Sequence, residues 1–300
     1  MMRRFYKKSP IENFVPTQKL EGPIFIYGKV GSGKTASGVS LLHIYVFKYK
    51  YKGWDLDGGP RNENMFTLVK CQDKKYISKL NLLGNFDEEF AKEYKCNVLT
   101  PFFGSKLPKK LPEKLPRVKS ILFTIPIKDI EEEDLRVVVG NLSETSKYAW
   151  EEVKNKITKK HNSIDMLEIA NKVKGIQATP VYRNFILPMS REKFLMDNYC
   201  KTNIDLIAEA RDRSAITILN LEFVPERFRL FVLNYICRKL SYLLDQNKIH
   251  RYNVGLLREV ARYFQATDDS TLPDNYKIFR RNLSEYIRLG RRGFYFIADC

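Results

Sequence analysis

Hydrophobic residues in this chain form two kinds of pattern, and the two kinds alternate along much of the sequence. Short continuous runs rich in β-branched and aromatic residues predict buried strands. These runs lie at residues 23–27, 97–101, 120–126, 215–221, 253–257 and 294–298, and residues 52–60 are predicted to form a further short strand that closes in a turn. Longer stretches with helical spacing lie at residues 36–47, 225–244 and 277–289. Strands that alternate with helices predict an α/β fold with a mostly parallel sheet and helices on both faces.

The pattern changes between residues 131 and 213, where helical spacing dominates and glycines are few. The predicted helices in this part cover residues 134–142, 145–158, 163–173 and 190–211. We interpret this block as a helical insertion carried on the α/β core. The predicted organisation is therefore a basic N-terminal arm at 1–20, a first core part at 21–130, the insertion at 131–213 and a second core part at 214–300.

A glycine-rich stretch connects the first predicted strand to the first predicted helix. Residues 28–35 read Gly-Lys-Val-Gly-Ser-Gly-Lys-Thr, which fits the phosphate-binding pattern G-x-x-x-x-G-K-[ST] in its required strand-loop-helix context. The glycines allow backbone N–H groups to converge on phosphates at a positive helix N-terminus. The residues expected to bind the nucleotide are Gly28, Gly31, Ser32, Gly33, Lys34 and Thr35.

Two side chains of this loop have specific expected roles. Lys34 would reach the β- and γ-phosphates, and the hydroxyl of Thr35 would hold Mg²⁺. We therefore expect ATP and Mg²⁺ as cofactors. Acidic residues also follow the next predicted strand, where α/β sheets bind their ligands. Asp55 and Asp57 are candidate metal ligands there, and an ordinary turn built from Asp and Gly is an equally good interpretation.

The chain is strongly basic, with a formal net charge of +17 and a pI near 9.5. Such an excess favours a polyanionic partner, with nucleic acid ahead of an acidic membrane surface, although a solvated basic surface would have the same composition. The most basic local segment is the Lys/Pro loop at residues 106–116, which prolines keep non-helical. It is a candidate phosphate contact or simply a solvated loop.

Cysteine, histidine and hydropathy patterns exclude several other classes of protein. The five cysteines are scattered without a C-x-x-C pair, and the three histidines are isolated, so neither a disulfide framework nor a zinc site is expected. No apolar run approaches the ~18 residues of a membrane span. The basic start lacks the apolar segment of a secretory signal. We expect a cytoplasmic protein without membrane insertion.

The order of these elements resembles the HerA/FtsK superfamily of RecA-like DNA-pumping ATPases, over roughly residues 20–300 and weakly within the insertion. Four passages carry the resemblance, at residues 28–35, 216–240, 254–264 and 289–300. It implies a ring, in this family a hexamer, that hydrolyses ATP and translocates double-stranded DNA. The implied settings are genome packaging, conjugative transfer or DNA processing, with an accessory nuclease or packaging and transfer proteins as further partners.

The third passage departs from the family at the residue that matters most for hydrolysis. Where the family reads Asp-Glu after an apolar strand, this chain reads Arg258-Glu259. Glu259 matches the residue that activates the attacking water, but a cation replaces the acid that orients Mg²⁺. One interpretation is an active ATPase whose metal is held by Thr35 and a substitute acid. The other is a nucleotide-dependent binding or assembly protein with little turnover, in which Arg258 partly replaces the metal.

The last passage implies a contribution from a neighbouring subunit. Arg291 and Arg292 precede the final strand, where the resemblance implies an arginine that stabilises the transferring phosphoryl group across a subunit boundary. Ordinary surface charge would look the same in the sequence. The family strand is usually followed by a glutamine that senses the γ-phosphate, and this chain stops at Cys300 without it, which indicates a trimmed or shortened protein.

Overall fold

The structure is a computed structural model of the whole chain. It describes residues 22–29, 34–47, 49–56, 95–101, 118–159, 166–192, 205–221, 224–258, 273–290 and 293–299. The N-terminal arm, the Lys/Pro loop at 106–116 and residues 30–33 and 57–94 therefore lie outside the described residues.

Seven strands form a single sheet in which every neighbouring pair is parallel. The strands are β1 (Ile24–Ile26), β2 (Lys52–Leu56), β3 (Lys95–Pro101), β4 (Val118–Phe123), β5 (Ala215–Leu219), β6 (Asn253–Leu257) and β7 (Phe294–Asp299). Their order across the sheet is β1-β7-β6-β2-β5-β3-β4. The predicted α/β fold with a parallel sheet is confirmed, and the arrangement is consistent with a RecA-like core.

Helices connect the strands and cover the sheet. The α-helices of the described residues are α1 (Lys34–Phe47), α2 (Glu132–Val139), α3 (Glu144–Lys159), α4 (Met166–Asn171), α5 (Leu187–Glu192), α6 (Leu206–Arg211), α7 (Glu226–Asp245) and α8 (Asp274–Gly290). A single π-helical turn, Tyr182–Ile186, leads directly into α5. In the part of the chain that the structure describes, no helix has the length and apolar character to cross a lipid bilayer.

Helix α1 covers one face of the sheet at very short range. A Cβ atom at Gly38 would lie 2.8 Å from Leu256 Cδ1, and one at Gly53 would lie 2.5 Å from Val46 Cγ2. Glycine on the helix and glycine on β2 therefore permit the close approach. The apolar cluster between helix and sheet includes Leu42, Tyr45, Val46, Ile216 and Leu256. We call this side of the sheet the α1 face.

The remaining helices pack on the opposite side, which we call the bundle face. Its larger apolar cluster combines sheet residues such as Trp54 and Phe296 with residues of the helices. Trp150, Phe185 and Phe231 meet edge to face, with ring centroids 5.6 Å and 5.3 Å apart. The segment predicted as a helical insertion therefore shares one hydrophobic core with α7 and the sheet.

A buried polar network lies within the bundle face. Asp134 of α2 is 0% exposed and accepts hydrogen bonds from Asn234 and Arg238 of α7. Asn234 in turn accepts from Asn282 and Tyr286 of α8. The network satisfies the buried polar groups and links three helices, so its role is structural.

Candidate nucleotide-binding site

The glycine-rich motif at residues 28–35 connects β1 to α1, and its residues 30–33 lie outside the described residues. β1 ends at Ile26, and α1 begins at Lys34, the seventh residue of the motif. The carboxyl ends of all seven parallel strands lie at the same edge of the sheet, which we call the carboxyl edge. The start of α1 is therefore at this edge too, together with residues that follow β2 and β6.

The ammonium group of Lys34 folds back over the loop. Its Nζ atom donates to the carbonyl oxygen of Gly28 at 2.7 Å and to that of Lys29 at 3.3 Å. The first turn of α1 contains no acidic residue that would repel an anion. A phosphate oxygen arriving at this helix N-terminus would meet a positive helix end and a lysine that can exchange a neutral acceptor for a charged one.

The position of Arg258 relative to this lysine follows from packing. Gly38 packs on Leu256 in β6. Arg258 lies two residues farther along the strand direction, on the same face, which is about 6.6 Å nearer the carboxyl edge. Lys34 lies four residues before Gly38, which is about 6 Å nearer the same edge along α1. Arg258 and the first turn of α1 are therefore at the same height on the α1 face.

Arg258 is held by an acid on the neighbouring strand. β2 and β6 are adjacent, and Asp55 is opposite Leu256 in their register. The Nη2 atom of Arg258 donates to Oδ2 of Asp55 at 2.5 Å, with side-chain exposures of 6% and 0%. The pair therefore lies buried at the carboxyl edge, on the same face as α1, beside the nucleotide site. The predicted role of Arg258 as a partial replacement for the metal ion stays a prediction.

The donor set around Asp55 does not suit Mg²⁺ as it stands. Magnesium requires carboxylate or hydroxyl oxygens in near-octahedral geometry, and the buried carboxylate of Asp55 is bound to a cation. Within the described ranges, no cluster of three or more His, Cys, Asp or Glu side chains could hold a metal ion. Metal binding at Asp55 would require breaking a buried ion pair, which is energetically costly.

Other titratable groups on the α1 face are too deeply buried to react. Burial, followed by the charge of Asp55, raises the pKa of the Cys96 thiol to about 12. Burial lowers the pKa of His43, in α1, to about 4. The thiol is therefore protonated and the imidazole neutral at pH 7, so neither acts as a nucleophile or a charged ligand.

Several predicted site residues lie outside the described part of the chain. They are Gly31, Ser32, Gly33, Asp57, Glu259, Arg291 and Arg292, and their roles stay predictions. Thr35 lies in the first turn of α1, and its side chain is also outside the description. The structure brings together Gly28, Lys34, Asp55 and Arg258 at the carboxyl edge.

The chain neighbours of Arg291 and Arg292 bear on their predicted role. Gly290 ends α8, and Gly293 precedes β7, with its carbonyl accepting a hydrogen bond from Asn253 at the start of β6. Both glycines are therefore at the amino-terminal edge of the sheet, about 15–20 Å from the carboxyl edge. Arg291 and Arg292 themselves lie outside the described residues, and their predicted role across a subunit boundary remains a prediction.

Sequence reasoning identified both Asp55 and Arg258 and missed that they bind each other. The available signal was a charged residue at the end of each of two buried strands, with opposite signs on the two strands. Strand order across the sheet was needed to use it. A comparison with protein-family models finds no match for this chain, and no curated protein is significantly similar to it in sequence.

Proposed function

We propose that this chain is a cytoplasmic, ATP-binding ring protein that translocates double-stranded DNA and hydrolyses ATP as it does so. The observation that carries the nucleotide part is the phosphate-binding motif placed between β1 and α1, with Lys34 Nζ directed onto the loop carbonyl of Gly28 at 2.7 Å. The DNA part is supported by the net charge of +17 and by the resemblance to DNA-pumping ATPases.

The chain's own residues would bind and orient the triphosphate in a simple way. Lys34 exchanges its contacts with the carbonyls of Gly28 and Lys29 for the phosphate oxygens, and the amides of the helix N-terminus bind the same anion. Arg258 lies level with this turn and contributes positive potential, partly offset by Asp55. When bound, Mg²⁺ would supply charge neutralisation at the phosphates, with Thr35 as its predicted ligand.

A second candidate function is favoured by the buried pair itself. Because the carboxylate of Asp55 is bound to Arg258, it is not available to a catalytic metal unless that ion pair is broken. In this alternative the chain binds ATP without hydrolysing it, and the nucleotide stabilises the fold or an assembly on DNA by mass action. The two candidates share the nucleotide site and differ only in turnover.

The decisive experiment measures ATP turnover with and without duplex DNA for the wild type, Lys34→Ala and Arg258→Asp. The proposed motor predicts turnover that DNA stimulates and that Lys34→Ala abolishes, because the lysine contacts the transferred phosphate. Equal turnover with and without DNA would count against a translocase.

Tight ATP binding without turnover, unchanged by Glu259→Gln, would select the second candidate. The Arg258→Asp variant then shows how the arginine affects ATP hydrolysis. Increased turnover would show that the arginine restrains hydrolysis at the acid position, whereas complete loss would show that the arginine has a positive role.

A further inference from the structure

Three connecting segments meet at the amino-terminal edge of the sheet, opposite the nucleotide site. They are the turn between α1 and β2 at residues 49–51, the turn before β5 at 211–214 and the loop before β6 at 246–252. Lys52 N donates to the carbonyl of Tyr252 at 2.8 Å, and Arg211 Nη2 donates to that of Lys248 at 2.9 Å. The segments therefore form one continuous surface.

This surface is strongly basic. The three segments contain five lysine and arginine residues and one acidic residue, Asp212. We define the amino-edge patch as Lys50, Arg211, Arg213, Lys248, Arg251 and Tyr252, all of which are exposed. Partial burial acts to raise the pKa of Asp212, but hydrogen bonds from Ser214 and the charges of Lys52 and Lys95 outweigh it, so the pKa is lowered. The single acid is thus engaged with its own turn.

The turn that carries Asp212 is anchored from beneath by a buried cation. Lys52 is 0% exposed, and its Nζ atom donates to the carbonyls of Asp212 and Ala215 at 2.9 Å and 2.8 Å. Burial, opposed by the charge of Glu209, lowers the pKa of Lys52 to about 8. The turn between Arg211 and Ala215 is therefore anchored by Lys52, and Arg211 is held by its contact with the carbonyl of Lys248.

The charge pattern differs on the exposed side of the helical segment. Cations there face acids one helical turn away, as in Lys147 with Glu144, Lys156 with Glu152 and Lys172 with Glu168. Such pairs leave little net charge for a polyanion. Within its three segments the amino-edge patch has five cations and one acid, so it carries a local excess of positive charge of the kind that attracts phosphates.

An aromatic ring lies in the middle of these charges. Tyr252 is 46% exposed, which is unusual for a ring fixed on two sides. Tyr51 contacts it edge-on with ring centroids 5.3 Å apart, and the guanidinium carbon of Arg213 lies 5.7 Å from the ring centroid. A supported, partly exposed ring beside cations offers a stacking surface for a nucleobase.

We propose that the amino-edge patch binds nucleic acid, with its cations on the phosphate backbone and the ring of Tyr252 available to an unpaired base. The proposal rests on the proposed function for its class of partner, and it assigns that partner a site at the opposite edge of the sheet from the nucleotide. Phosphates of duplex and single-stranded DNA are the two sources of the same ligand chemistry.

The test measures binding of fluorescent single-stranded DNA, and of the matching blunt duplex, by anisotropy over a range of salt concentrations. The patch variant is Arg213→Ala/Lys248→Ala/Arg251→Ala. The matched control is Lys128→Ala/Lys172→Ala/Lys174→Ala, which removes the same charge from exposed positions elsewhere. Thermal unfolding of each variant verifies that it is folded.

The patch variant should lose on the order of tenfold or more in affinity for both DNAs, and its salt slope should fall by about three. The control should lose much less. Equal losses in the two variants would overturn the proposal, because net charge alone would then explain binding. Preferential binding of the patch to vesicles containing anionic lipid, with no effect of the patch variant on DNA, would also overturn it.

Tyr252→Ala and Tyr252→Phe test the aromatic part. The alanine variant should weaken the binding of single-stranded DNA on the order of tenfold. Its affinity for the blunt duplex should stay unchanged, since paired bases are already stacked. The phenylalanine variant should retain wild-type binding. An equal loss for both DNAs would remove the stacking role. All measurements are made without ATP, so failure of the motor proposal leaves this result interpretable.

Discussion

Among the described residues, each face of the sheet buries one aspartate–arginine pair, and the two pairs differ in their surroundings. On the bundle face, Asp134 accepts hydrogen bonds from Asn234, Arg238 and the backbone N–H of Glu131. Arg238 also donates to the carbonyl of Asp129 at 2.7 Å. That pair lies between helices, and its atoms are used to connect them.

On the α1 face, Asp55 and Arg258 are at the ends of two neighbouring strands, level with the first turn of α1. Their pair borders the place where a triphosphate is expected to bind. The same two residue types thus form a structural link in one place, whereas in the other we propose that they lie beside a bound ligand. The difference teaches that position at the carboxyl edge, and not the chemistry of the pair, indicates function.

The largest expected effect is on the bundle face. Asp134→Ala should lower the free energy of unfolding by about 3–5 kcal/mol, because it leaves Arg238 buried without its counter-ion. Urea unfolding measures the change. Glu144→Ala, which removes an exposed acid paired with Lys147, should cost less than about 1 kcal/mol. A loss for Asp134→Ala as small as that of the control would show that the network does not stabilise the fold.

The next effect concerns pH on the α1 face. The pKa of His43 is about 4 in the folded protein because of burial, against 6.5 for an ordinary histidine. Between these values only the unfolded chain takes up the proton, so stability should fall as pH drops from about 6.5 towards 4. The loss from this group is on the order of 1.4 kcal/mol per pH unit at most.

Urea unfolding of the wild type and His43→Phe at several pH values isolates this contribution from that of the carboxyl groups. The variant should show a shallower decline over the window. His250→Phe, the same change at an exposed histidine, controls for the general effect of replacing an imidazole with a phenyl ring. Parallel curves for all three proteins would contradict the expected titration of His43.

The smallest expected effect is a difference in stabilisation by bound ATP, and it distinguishes the two pairs most directly. Asp55→Asn and Asp134→Asn each remove one negative charge beside a buried arginine. Each substitution should lower the free energy of unfolding by about 2–3 kcal/mol. Bound ATP should restore stability to Asp55→Asn more than to the wild type, because its phosphates can replace the missing charge at Arg258. Asp134→Asn should gain no such extra stabilisation. Thermal shift with increasing ATP measures both, and equal shifts for the two variants would contradict the functional difference between the pairs.

Local pattern predicted most of the described elements correctly. The runs at residues 215–221 and 253–257 became β5 and β6, and the spacing at 225–244 became α7. Prediction was weaker in the helical segment, where the expected helix at 163–173 is described only as Met166–Asn171. The π-helical turn at Tyr182–Ile186 was not predicted at all, since side-chain spacing does not distinguish it from an ordinary helical turn.

The sequence by itself determined the parallel α/β class, the phosphate-binding loop and its lysine, because each depends on residues close together in the chain. Only the tertiary structure decided that Asp55 binds Arg258, which is 203 positions away, and that the basic segments meet at the amino-terminal edge. The physical reason is that β2 and β6 become neighbours only through the strand order of the sheet. No local periodicity encodes that order, so the charge beside the nucleotide site could be noticed in the sequence and understood only in the fold.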